Sequence, residues 1–115
     1  MKKISILMLM LLLCTNAYAE EWVATAYCSC KQCCNKSDGI TASGTHAHVG
    51  TVACNWLPFG TRLRIKGMGV YVVEDRGAKS QFGSKNNHKH RLDIWMPTHK
   101  QALVFGRRNV QVEVL

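Results

Sequence analysis

Apolar residues are spaced in two different ways along this chain. Ile4 to Leu13 is one nearly unbroken apolar run, interrupted only by Ser5. From Trp22 onward the apolar residues come in short alternating stretches separated by turn residues. Trp22–Tyr27 alternates and is rich in Val, Thr and aromatics, the pattern of a strand. Thr51–Cys54 predicts a second, short strand. In Thr61–Lys66, Leu63 and Ile65 face one way and Arg62, Arg64 and Lys66 the other. Val70–Glu74 is a β-branched run, expected as a buried strand, and Arg91–Met96 is a further short strand. Asn109–Leu115 closes the chain with Val110, Val112 and Val114 on one face. Pro58-Phe59-Gly60 and Gly67-Met68-Gly69 are turns. Cys28–Gly44 and Ala78–His90 are polar and predict loops, the second long enough to be functional or mobile. Pro97 is expected to open a helix over Thr98–Phe105, with Gly106 at its end. Six short strands and one late helix predict a mainly β domain, closed as a barrel.

The leading run belongs to a different class of segment. Lys2 and Lys3 precede it, and Ala17-Tyr18-Ala19 supplies small residues where a signal peptidase cuts. The run is too short for a permanent span of about 20 residues. Residues 1–19 are therefore expected to be a signal peptide, and 20–115 one small exported domain. A retained anchor is the competing reading. Cys14 follows Leu13 rather than a small residue, so lipidation is not expected there.

Charge narrows the partners. The chain of 115 residues carries a formal +8, and Lys2 and Lys3 account for two of those charges. A basic exported domain suits an anionic partner such as a cell-wall polymer or a membrane surface. Nucleic acid is not expected, because aromatics do not interleave with lysines as on base-stacking surfaces.

Five cysteines follow the leading segment: Cys28, Cys30, Cys33, Cys34 and Cys54. Export favours disulfides among them. Neighbours Cys33 and Cys34 are poor partners for each other, and an odd count leaves one thiol over. A zinc site from these thiolates with a histidine is the rival. The spacing lacks a second Cys-x-x-Cys, so no metal is assigned and no cofactor is expected. A nucleophilic cysteine ranks third. His46 with His48, and His88 with His90, have spacings that can hold metal but sit in loop-like stretches. His99 is expected on the helix, facing solvent.

Three aspartates follow residue 20: Asp38, Asp75 and Asp93. Asp93 lies between Leu92 and Ile94, where burial would raise its pKa and suit it to general-acid work. Asp75 ends a strand beside Arg76. The plainer readings are a turn residue paired with Arg76 and a structural acceptor for Arg91.

Five motifs then occur in order: Ala24-Thr25-Ala26-Tyr27-Cys28, Gly39-Ile40-Thr41-Ala42-Ser43-Gly44, Pro58-Phe59-Gly60-Thr61, Val73-Glu74-Asp75-Arg76-Gly77 and Arg91-Leu92-Asp93-Ile94. Together with Ala102–Arg107 and Val110-Gln111-Val112, this resembles the bacterial 3D domain and rare-lipoprotein-A-like proteins. These belong to the double-psi β-barrel group, with the barrel of membrane-bound lytic transglycosylase A and the first domain of expansins. The resemblance implies a six-stranded double-psi barrel with a short helix near the C-terminus. It implies peptidoglycan glycan strands as substrate, Asp93 as catalytic acid and Asp75 as the second aspartate of the groove. Thr41, Asn55, Arg76 and Trp95 are the expected substrate contacts. Asn55 stands where many such domains carry an aspartate.

The expected activity is a lytic transglycosylase of cell-wall turnover, with hydrolysis as its near rival. The protein would be a periplasmic or secreted, wall-associated monomer. The alternative is a wall-binding or wall-loosening module without turnover, in which Trp56, Trp95 and Tyr71 offer aromatic faces. For Tyr71, core packing is the favoured reading.

Overall fold

The computed structural model describes residues 19–115, so the signal-peptide expectation lies, apart from Ala19, outside the described residues. Six strands close a barrel: β1 (Glu20–Tyr27), β2 (Thr51–Ala53), β3 (Arg62–Ile65), β4 (Gly69–Asp75), β7 (Arg91–Trp95) and β8 (Arg108–Val114). Their order round the barrel is β1-β7-β2-β4-β3-β8. The β1/β7 and β2/β4 pairs are parallel and the other four antiparallel. Closure leaves the barrel itself without an unpaired edge strand. The mainly β expectation, with a closed six-stranded barrel and a short helix near the C-terminus, matches this architecture.

Alternation decides which side chains fill the barrel. Trp22 and Ala24, Leu63 and Ile65, Leu92 and Ile94, with Val52, Val73 and Val112, form one buried cluster. Burying an aliphatic side chain of this size contributes about 1.5–3 kcal/mol. The strand β4 is less buried than its composition predicts. Val73 is fully enclosed, but Val70 is 42% exposed beside the Gly67–Gly69 turn. Tyr71 packs against the core from its margin.

The two predicted loops hold short elements. The helix α1 (Lys31–Cys34) interrupts the first. The second contains α2 (Lys79–Phe82) and a hairpin of β5 (Gly83–Ser84) and β6 (Asn87–His88). The last helix, α3, spans His99–Phe105. Thr98 caps it in extended conformation, its hydroxyl accepting from Gln101 N at 3.1 Å. This cap starts the helix at His99, one residue later than expected. Among the described residues, no helix is long and apolar enough to cross a membrane.

Candidate active site

The site begins with a register shift. Val52 pairs with Val73, but the next residue, Ala53, pairs with Asp75, so Glu74 is an extra residue in β4. Strict alternation would send Asp75 inward after Val73. The bulge resets the face, and Asp75 lines an open groove of about 440 Å³. On its other side, Ala53 pairs with Asp93 of β7. The two aspartates therefore flank Ala53, one strand step of about 4.8 Å to each side. Ala53, too small to fill the space between them, forms the groove floor.

The carboxylates have different surroundings. Asp75 accepts three hydrogen bonds: from Tyr27 Oη at 2.7 Å, Ala42 N at 2.9 Å and Arg76 N at 2.9 Å. These donors fix its orientation from both strands and loop. Asp93 accepts one, from Thr25 Oγ1 at 3.1 Å across the parallel β1/β7 pair. Burial pushes the Asp93 carboxyl up to about 6. The Thr25 bond and the Arg91 charge oppose this, while the Asp75 charge adds to it. Burial and the bond to Asp75 also push the Tyr27 phenol up, so Tyr27 stays a donor.

The structure brings some expected contacts to the groove and gives others different work. Arg76 lines it, with Nη1 donating to Cys54 O at 2.6 Å and the guanidinium 3.9 Å above the Phe59 ring. Arg76, Gly77 and Asn55 also line a neighbouring depression of about 550 Å³. The Asn55 amide ties the strand end to the loop. It donates to Gly77 O and Gly83 O and accepts from Gly77 N. Thr41 is buried, its hydroxyl bonded to Ser43 and Thr45, and it shapes the turn that presents Ala42 N to Asp75. Trp95 does not line the groove, and its indole donates to Ser29 Oγ at 2.8 Å. Trp56 stacks on His88 with ring centroids 4.4 Å apart. Asp38 stands apart from the pair, accepting from Ile40 N and facing Lys36 at 3.3 Å.

Sequence reasoning did not single out Thr25, Tyr27 or Ala53 for the site. Their signal was strand phase: Thr25 and Tyr27 share one face of β1.

The cysteines depart from expectation. Among the described residues Cys28, Cys30, Cys33, Cys34 and Cys54 are all free thiols, and no disulfide joins them. Cys54 is sealed in the core, and Cys34 Sγ donates to Cys28 O. Cys28, Cys30 and Cys33 instead gather around His99, the one cluster among the described residues with a metal-ligating arrangement. His99 is thus turned to the thiols and not, as its place on the helix predicts, to solvent. The paired histidines join no such group: His48 meets Glu74 at 2.9 Å, and His90 stacks on Trp22. No protein-family model matches this chain, and no curated protein shows a significant sequence match to it.

Proposed function

We propose that this protein is a lytic transglycosylase that cleaves the glycan strands of peptidoglycan, with Asp93 as general acid and base. The observation that carries the reading is the groove in which Asp75 and Asp93 flank Ala53, with burial raising the Asp93 carboxyl toward neutrality. A general acid works best with a pKa near the working pH. The motif order that resembles the 3D domain supports the same substrate class, export to the wall and the double-psi form of the barrel.

Protonated Asp93 donates its proton to the glycosidic oxygen that follows a muramic acid residue. The C–O bond breaks, and the leaving sugar departs as an alcohol. The oxocarbenium-like centre is then closed by the sugar's own 6-hydroxyl, whose proton returns to the Asp93 carboxylate. The product is a 1,6-anhydro end, and no water is consumed. A second carboxylate to activate water, as in inverting hydrolases, is unnecessary. Asp75, held by three donors, adds repulsion that keeps Asp93 protonated and offers an acceptor to sugar hydroxyls. The depression shared by Arg76 and Gly77 extends the groove for further sugar units.

The test is mass spectrometry of peptidoglycan sacculi incubated with the protein and with Asp93→Asn. Anhydro-muropeptides from the unaltered protein alone are expected. Reducing ends in place of anhydro ends would make it a hydrolase. Intact sacculi carrying bound protein in both reactions would replace catalysis with wall binding.

A further inference from the structure

The Cys28-x-Cys30-x-x-Cys33 segment leaves the end of β1, turns through α1 and returns its sulfurs to one point. His99, the first residue of α3, lies some seventy positions along the chain, yet its Nδ1 faces that point. The Nδ1 atom stands 3.8 Å from Cys28 Sγ, 3.5 Å from Cys30 Sγ and 3.4 Å from Cys33 Sγ. The Cys28 and Cys33 sulfurs are 3.6 Å apart. All four donor atoms lie within 4.8 Å of one another.

These separations have a simple reference. Zinc–sulfur bonds of about 2.3 Å and a zinc–nitrogen bond of about 2.0 Å give tetrahedral edges of about 3.8 Å between sulfurs and about 3.5 Å from sulfur to nitrogen. We propose that Cys28, Cys30, Cys33 and His99 form a closed Cys₃His site for a structural zinc ion. A disulfide is the competitor, but it would join two sulfurs at about 2.05 Å. It would leave the third sulfur and the imidazole converging without a partner. Four protein ligands complete the tetrahedron and leave no open position for a substrate, so the ion holds shape and takes no part in bond cleavage.

What it holds follows from the packing. No residue of α1 is buried, so this helix has no core of its own. Cys33, Cys34 and Lys36 nevertheless line the groove together with Arg76 and Phe82. The zinc ion would clamp that lining to the first turn of α3.

The test is elemental analysis of the purified protein, beside His99→Ala, Cys30→Ser and, as a control outside the quartet, Cys34→Ser. One zinc per chain is expected in the unaltered protein and in Cys34→Ser. Affinity should fall by more than about 100-fold in the other two, beyond the loss that follows when only an outer-shell partner is removed. Zinc retained by His99→Ala, or a zinc-free protein whose intact mass shows a Cys28–Cys33 disulfide, overturns the site. Cobalt added to metal-free unaltered protein supplies a reading that needs no variant to fold. Tetrahedral d–d bands with sulfur-to-metal charge transfer are expected, and an octahedral spectrum overturns the site. Neither readout depends on wall cleavage, so the zinc site and the proposed activity can fail separately.

Discussion

The two walls of the groove are held by different means. One is the barrel itself, where Ala53, Asp75 and Asp93 ride on strands whose inner faces are Val52, Val73 and Ile94, all essentially sealed from water. The other is the loop after β1, which contributes Cys33, Cys34 and Lys36 and packs no residue of its helix into the core. It is tied down by polar contacts: Ala42 N to Asp75, Ser43 N to Glu74 O and the thiols about His99. A wall fixed by hydrophobic burial moves only when the domain unfolds. A wall fixed by a few polar links can loosen alone.

The largest expected effect lies on the barrel side. Asp93→Asn should lower wall cleavage by about 10²–10⁴-fold, the usual contribution of a general acid. The same change should stabilise the fold at neutral pH. The Asp93 carboxyl rises from an ordinary 3.8 to about 6 in the fold, so the native state disfavours its charged form. That penalty is absent below pH 3.8, grows as pH rises toward 6 and is complete above it. A shift of this size corresponds to about 3 kcal/mol at neutral pH. Thermal melts between pH 3.5 and 8 should show the variant gaining on the parent as pH rises. Equal stability at every pH would remove the buried-acid account.

Chelation addresses the loop next. Hydrogen exchange should speed up across Lys31–Asp38 on zinc removal while the amides of β2 and β7 stay protected. Uniform loss of protection would mean that both walls share one source of stability.

Gly77→Ala sharpens the contrast from the end of β4, where the chain leaves the barrel for α2. An added Cβ there would collide with the Phe82 ring, which is buried. Overpacking of this kind costs about 1–3 kcal/mol. It should displace α2 and lower activity, as denaturant midpoints and turnover would show. Tyr27→Phe comes next, with about 1–2 kcal/mol lost as Asp75 gives up its shortest bond. Arg64→Ala should be nearly silent. Its 3.4 Å pair with Glu113 is exposed on both sides, and such pairs contribute about 0–1 kcal/mol.

The sequence made the barrel legible wherever alternation ran unbroken. Leu63 and Ile65 face inward and Arg62 and Arg64 outward, as their spacing predicts. Asp93 was legible too, since Leu92 and Ile94 are buried on the opposite face. Asp75 was found through its motif; periodicity alone would have placed it beside Val73 in the core. The helices α1 and α2 have four residues each and no side-chain cap, which leaves no periodic signal. His99 was misplaced because helix position says nothing about a partner some seventy residues away. Asn55 and Trp95 were expected as sugar contacts, and their bonds to Gly77, Gly83 and Ser29 were not legible because those partners lie in distant parts of the chain.

The extra residue in β4 has a consequence for how such a chain can vary. Along a strand, facing direction is read in steps of two, so one added residue acts like a frameshift for everything after it. A chain lacking Glu74 would set the aspartate directly after Val73, on the groove face opposite Ala53 without a bulge, whereas a chain that kept Glu74 and straightened the bulge would turn its second carboxylate to the interior. A chain with Glu or Asn at position 75 would keep the frame and alter only the chemistry. The frame on this strand is therefore kept by its pairing with β2, which absorbs the extra residue before Asp75.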